Sequence, residues 1–166
     1  MSSLTHLSYS SIRQYIDCGL QFRFRKIDQL EPEFVSDSLV FGSCVHKALA
    51  KYNQHRIENK SVNSSELGDW FEGYLNGAVT DKIRYSNGND YKSYLSQGKK
   101  LLETFYNHPK DDYDVLEIEK QFSIDRDFLP LSVIGYIDLV ETDENGNLLI
   151  TEYKTSNKAY SRVQID

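Results

Sequence analysis

The chain has 166 residues, 39% hydrophobic and 27% charged, the balance of an ordinary globular domain large enough to bury a core of its own. Its 19 Lys and Arg against 25 Asp and Glu give a net charge of −6, which excludes a uniformly basic nucleic-acid coat but leaves a local basic patch or a bound cation free to reverse the sign at one site. No apolar run approaches the ~20 residues that span a bilayer, the N-terminus carries no secretory apolar stretch, and Cys18 and Cys44 alone give no disulfide framework, so the expectation is a cytoplasmic protein with no membrane partner.

Residues 1–7 read as a short arm. Ser8-Tyr9-Ser10-Ser11, with serines suited to an N-cap, then opens a helix in which Tyr9, Ile12, Tyr15 and Ile16 share one face. Cys18-Gly19 marks its end or a break. Gln21 to Lys26 alternates basic and aromatic residues; the plain reading is an amphipathic segment with solvated Arg23, Arg25 and Lys26, and beside a nucleic-acid site the same three side chains would meet phosphates. Glu31 to Asp37 is a polar loop. A long helix follows from about Leu39 to Ile57, with Phe41, Val45, Ala48, Leu49 and Tyr52 as its buried face and Gly42 and His46 one turn apart on another. Glu66 to Val79 and Tyr91 to His108 predict two more helices, the second stopped by Pro109.

Val115 to Ile124 alternates as a half-buried strand. The stretch from Val133 to Tyr153 then reads as a hairpin, Val133–Val140 and Leu148–Tyr153, around Asp143-Glu144-Asn145-Gly146-Asn147. Its register has two solutions. A bulged loop of Glu144-Asn145-Gly146, with Gly146 left-handed, sets Asp143 opposite Asn147 and Asp138 opposite Glu152. A tight Asn145-Gly146 turn slips the strands by one residue and puts Asp138 and Glu152 on opposite faces. Apolar residues on both faces (Ile134, Tyr136, Val140, Leu148 and Ile150 against Val133, Ile137, Leu139, Leu149 and Tyr153) predict central strands covered on both sides. After Lys154, Thr155-Ser156-Asn157 reads as a loop leading into a helix. Helices first, then three strands, then a helix start predict an α/β domain.

In the bulged register Asp138, Glu152 and Lys154 share one patch. Two carboxylates and an ammonium are what a metal-dependent phosphodiester hydrolase needs: hard cations take carboxylate oxygens, the cation neutralises the phosphate and acidifies water, and a lysine orients that water or stabilises the developing charge. By itself, Glu-x-Lys on a strand is more often a surface ion pair.

The series Phe41-Gly42-Ser43-Cys44-Val45-His46, Gly135-Tyr136-Ile137-Asp138 and Glu152-Tyr153-Lys154-Thr155 resembles the PD-(D/E)XK nuclease superfamily, and within it the RecB-type branch of recombination helicase-nucleases, CRISPR-associated adaptation nucleases and phage exonucleases. That branch shows G-x-x-x-H on a helix, G-x-x-D at a strand end and (D/E)-x-K on the next strand. The opening helix, from Leu7-Ser8-Tyr9 to Cys18-Gly19-Leu20-Gln21-Phe22, is similar too. The resemblance implies a restriction-endonuclease-like core: a mixed central β-sheet, flanking helices and an N-terminal helical part, in one domain over residues 1–166. It implies His46, Asp138 and Glu152 as metal ligands with the Tyr153 backbone carbonyl, Lys154 as the catalytic lysine, and Glu119 as a possible additional acid. It implies Mg²⁺ or Mn²⁺ as cofactor, DNA as substrate, and a helicase, recombination, CRISPR or phage protein as a possible partner.

Two departures qualify the likeness. The branch carries Q-x-x-x-Y on a helix after the lysine, whereas here Val163-Gln164-Ile165-Asp166 are the last residues, so the expectation is a domain lacking its C-terminal helix. The cysteines that complete an iron-sulfur site in some relatives are missing, and Gly19 replaces a proline, so no cluster is expected. The sequence thus predicts a metal-dependent DNA nuclease, an exonuclease of repair, recombination or phage DNA processing; the alternative is a catalytically inactive module of the same fold that binds DNA or a protein.

Overall fold

The structure, a computed structural model, describes residues 4–80, 82–86, 88–108 and 113–155. The expected stop at Pro109 and the expected helix start after Ser156 lie outside them.

Ser8 begins the first helix, α1 (Tyr9–Asp17), through a capping box: its hydroxyl accepts the Ser11 N–H, and the Ser11 hydroxyl accepts the Ser8 N–H. Cys18 breaks the helix with an extended backbone (φ −161°, ψ 99°) and caps α2 (Gly19–Phe22), which runs into a π-helical turn over Arg23–Ile27. The arm expected over residues 1–7 is corrected at its end. Leu7 donates its N–H to Ser132 O (2.9 Å) and accepts from Ile134 N–H (2.7 Å), forming a parallel bridge to Val133. Among the described residues the apolar face of α1 meets no core: Tyr9, Tyr15 and Ile16 are exposed.

The core is helical. The long helix α3 (Asp37–Ile57) starts two residues before the expected Leu39, then α4 (Ser64–Ala78) and α5 (Tyr91–Asn107) follow, each opened by a capping box, Asn63 with Glu66 and Asp90 with Ser93. Cys44, Val45, Ala48 and Leu49 of α3 are buried with Leu67, Phe71 and Leu75 of α4 and Tyr94 and Leu102 of α5. Helix α5 reaches α4 through a missing side chain: a Cβ on Gly98 would sit 2.1 Å from the Phe71 ring. The polar loop before α3 hides a two-residue strand, β1 (Val35–Ser36), paired in parallel with β2 (Ile83–Arg84). Such short pairs carry no periodicity to read. Beside them Asp37 is buried and accepts N–H groups from Ser86 (2.7 Å) and Ser38 (2.7 Å). Burial pushes its carboxyl up, but the bonds from Ser86, Ser38 and Tyr94 outweigh that and hold it below the usual aspartate range.

The sheet is three-stranded and antiparallel, in the order β3 (Asp114–Ile124), β4 (Val133–Thr142), β5 (Leu148–Thr151). Leu7 adds the parallel element at the start of β4. The hairpin adopts the bulged register: Leu139 pairs with Thr151 and Thr142 with Leu148, Asp143 N–H donates to Asn147 O, and Gly146 sits at φ +80°. β5 stops at Thr151, two residues short of the expected Tyr153. The two-sided cover is corrected as well: Leu139 is buried, whereas Tyr136, Leu148 and Ile150 are 58%, 69% and 69% exposed. On β3, where alternation predicted a buried apolar side, the register shifts between Val115 and Glu117, and Leu116, Phe122 and Ile124 are exposed. No described helix is long and apolar enough to cross a membrane.

Candidate metal centre

Helix α3 carries its buried stripe on one side and Gly42, His46 and Ala50 on the side that lines a groove of ≈ 960 Å³. Gly42 lets the chain after β5 approach closely, since a Cβ there would lie 3.1 Å from Thr155 Oγ1. His46 Nδ1 lies 3.1 Å from Asp138 Oδ1, and the other oxygen, Asp138 Oδ2, accepts the Tyr153 N–H at 2.7 Å. Both oxygens of this buried carboxylate are therefore engaged, one by the helix and one by the chain leaving β5. The third member is Glu119. On β3 the pairs Ile118–Leu139 and Lys120–Ile137 bracket it and place it opposite Asp138. One ligand atom each from His46, Glu119 and Asp138 lies within 4.8 Å of the other two.

Glu119 is held in this position at a conformational cost. Its φ is +49°, in the left-handed region, inside a strand. Strain of this kind costs on the order of 1–3 kcal/mol and persists only where the surroundings over-determine it. Its carboxyl is also pushed above the usual glutamate range, by partial desolvation first, then by the Asp138 carboxylate, with Glu152 adding and His46 opposing. Two crowded carboxylates beside an imidazole form a donor set that a divalent cation relieves, through a mixture of oxygens and one nitrogen. His46, Glu119 and Asp138 would hold the cation.

Glu152 and Lys154 stand one step away. Extending the β4–β5 register by one pair sets Glu152 opposite Asp138, as the bulged hairpin requires. Its side chain nevertheless lies outside the 4.8 Å cluster and contacts the Lys154 ammonium; both are about half exposed. Tyr153 contributes its N–H to Asp138, while its ring stands edge-on to His46 and Phe105. The three basic residues expected at a nucleic-acid surface are not brought here. Arg23 is paired with Asp28 (3.2 Å), and Arg25 and Lys26 line a separate pocket with His6 and Ser8. The groove at His46 carries Lys47 and Lys51 of α3 instead. Their spacing of four, starting beside His46, was the readable signal. The part-buried Arg56–Glu141 pair (2.8 Å) and Asn53 were not foreseen, because nothing in their local sequence distinguishes them.

A Glu119→Gly protein separates the conformational cost from the ligand role. Removing the left-handed strain, less the added freedom of glycine in the unfolded chain, is expected to stabilise the metal-free protein by about 1 kcal/mol. The lost carboxylate adds a pH-dependent part. A carboxyl whose folded pKa is raised disfavours folding above its unfolded pKa and has no effect below it, where both states are protonated. The melting-temperature gain is thus larger at neutral pH than in acid, and it reverses when Mg²⁺ or Mn²⁺ is added, because the variant binds the metal more weakly. Equal metal-induced stabilisation of both proteins in a thermal melt would remove Glu119 from the site.

A family model for the PD-(D/E)XK nuclease superfamily matches residues 6–166. No curated protein and no solved structure matches the chain.

Proposed function

The chain belongs to the PD-(D/E)XK nuclease superfamily, and from that premise we propose that it is a Mg²⁺- or Mn²⁺-dependent deoxyribonuclease, an exonuclease of the RecB type acting in DNA repair, recombination or phage DNA processing. One observation carries the reading. His46, Glu119 and Asp138 come from α3, β3 and β4, are far apart in sequence, and converge to within 4.8 Å, with His46 and Glu119 lining an open groove. The motif order, with G-x-x-x-H on α3, Asp138 on β4 and Glu152-Tyr153-Lys154 just past β5, supports the RecB-type branch and, by that likeness, the exonuclease mode.

The chemistry is hydrolysis: water attacks phosphorus, the bond from phosphorus to the leaving ester oxygen breaks, and that oxygen takes up a proton. A bound divalent cation supplies charge neutralisation at the phosphate and acidifies water. His46, Glu119 and Asp138 would hold it, with Glu152 and the Tyr153 carbonyl as the remaining donors. Asp138 also fixes His46 through Nδ1, leaving Nε2 for the groove. Lys154 orients the attacking water and stabilises negative charge on the reacting phosphate. Lys47 and Lys51 meet flanking phosphates; Lys51 is steadied over the Trp70 ring at 4.5 Å.

Linear and covalently closed circular DNA, single- and double-stranded, incubated with Mg²⁺, Mn²⁺ or EDTA, test this reading. Metal-dependent loss of the linear forms alone is expected. Cleavage of closed circles would overturn the exonuclease mode. Absence of cleavage by the folded protein with either metal would leave the inactive DNA- or protein-binding module as the reading.

A further inference from the structure

The last ladder pair of the hairpin is Leu139–Thr151, so the segment carrying Glu152 and Lys154 continues past the sheet. Something other than strand pairing must set its path. Tyr153 is held at three points. Its N–H donates to Asp138 Oδ2 (2.7 Å), its ring is wedged edge-on against His46 and Phe105, and its hydroxyl accepts from Asn53 Nδ2 at 3.0 Å.

Asn53 is fully buried, on the helix that also bears His46, seven residues on and therefore on a neighbouring stripe of the same face. Its amide has one possible sense. Arg56 Nη1 can only donate, so the group facing it at 3.1 Å is the Asn53 oxygen, and the NH₂ must point at Tyr153. Arg56 is in turn fixed by Glu141 Oε1 (2.8 Å) and Tyr113 O (2.7 Å), and Glu141 Oε2 accepts from Thr151 Oγ1 at 3.2 Å. The chain of bonds therefore ties α3 to the start of β3, to β4, to the last residue of β5, and through Tyr153 to Asp138. A part-buried ion pair is a poor way merely to glue a helix to a sheet, since apolar side chains of similar volume do that at least as well. What the polar network adds is direction.

We propose that Asn53 and Tyr153 form a positioning clamp, anchored by Arg56 and Glu141, that sets the Glu152–Lys154 segment against the Asp138 centre. The structural part stands on the contacts alone; the catalytic consequence rests on the nuclease reading. Neither Asn53 nor the Tyr153 hydroxyl takes part in the chemistry: both act through the backbone they hold.

Tyr153→Phe removes one oxygen and keeps the ring. Asn53→Ser, too short to reach the phenol, opens the clamp from the other side should the first variant be unstable. Hydrogen exchange of the metal-free protein is read first. Amide exchange at Tyr153 and Lys154 is expected to rise on the order of tenfold in either variant, with α4 and α5 unchanged. Unchanged exchange at Tyr153 overturns the clamp. This readout decides the matter whether or not the protein cleaves DNA, so failure of the nuclease reading is seen separately, in the unmutated protein. With cleaving protein, kcat is expected to fall on the order of tenfold with KM nearly constant, and the double variant should lose no more than the worse single one. Full kcat in Tyr153→Phe overturns the positioning role.

Discussion

An Asp138→Ala protein is expected to lose metal binding and DNA cleavage together: affinity for Mn²⁺ or Mg²⁺ falls by more than about 100-fold and cleavage by at least as much. The size follows from how many tasks one carboxylate performs. Asp138 is a central member of the His46–Glu119–Asp138 cluster. Its Oδ1 also holds the imidazole and its Oδ2 holds the Tyr153 N–H. Truncation therefore removes one ligand, frees the ring of a second to rotate, and releases the segment that carries Glu152 and Lys154. Stability moves less than function. The Tyr153 N–H loses its acceptor, at about 1–3 kcal/mol, but Glu119 loses its nearest like charge, which now pushes its carboxyl up. The partial cancellation predicts a folded variant, so lost binding cannot be put down to unfolding. Calorimetric titration with Mn²⁺ beside a thermal melt checks both halves. A variant that still binds metal like the unmutated protein would remove Asp138 from the centre.

The hairpin was the most legible part of the chain, for a physical reason. Gly146 takes a positive φ without penalty, and Asp143 accepts the N–H groups of Asn145 and Asn147, so a five-residue stretch determines the register of everything beyond it. The three long helices were legible from spacing because their apolar stripes meet one another in the core. Where that condition fails, so does the reading. The stripe on α1 and the outer residues Tyr136, Leu148 and Ile150 have the periodicity of buried faces, yet they are exposed, because periodicity reports that a face is apolar and not that anything lies on it.

The site divides in the same way. His46, Asp138 and the Glu152–Lys154 pair could be singled out as residues, with Glu119 as a possible further acid. What brings Glu119 in is a left-handed backbone inside a strand, which no local preference of glutamate encodes. The Asn53–Tyr153 and Arg56–Glu141 contacts join residues 100 and 85 apart in sequence, which no local pattern announces. Arg23, Arg25 and Lys26 show the converse. A basic run is visible in any sequence, but its use depends on which surface the fold turns it toward, and here that is not the groove beside His46.

Lys154→Ala is expected to behave differently from Asp138→Ala, and the difference tests the division of labour. Cleavage should fall by about 10²–10⁴-fold, the range for losing a group that orients the nucleophile or stabilises the transition state. Metal affinity should hold or rise. In the metal-free protein the Lys154 ammonium lies against Glu152, whose carboxylate stands outside the His46–Glu119–Asp138 cluster although the strand register sets it opposite Asp138. The ammonium thus competes with the metal for one carboxylate. Removing it frees Glu152 to join the cluster at little structural cost, since the exposed pair contributes no more than about 1 kcal/mol to stability. A rise in Mn²⁺ affinity with loss of cleavage would assign Glu152 to the metal and Lys154 to the reacting phosphate in one measurement. A parallel fall in both would mean that Lys154 holds Glu152 in its working position, and retained cleavage would remove the lysine from the mechanism.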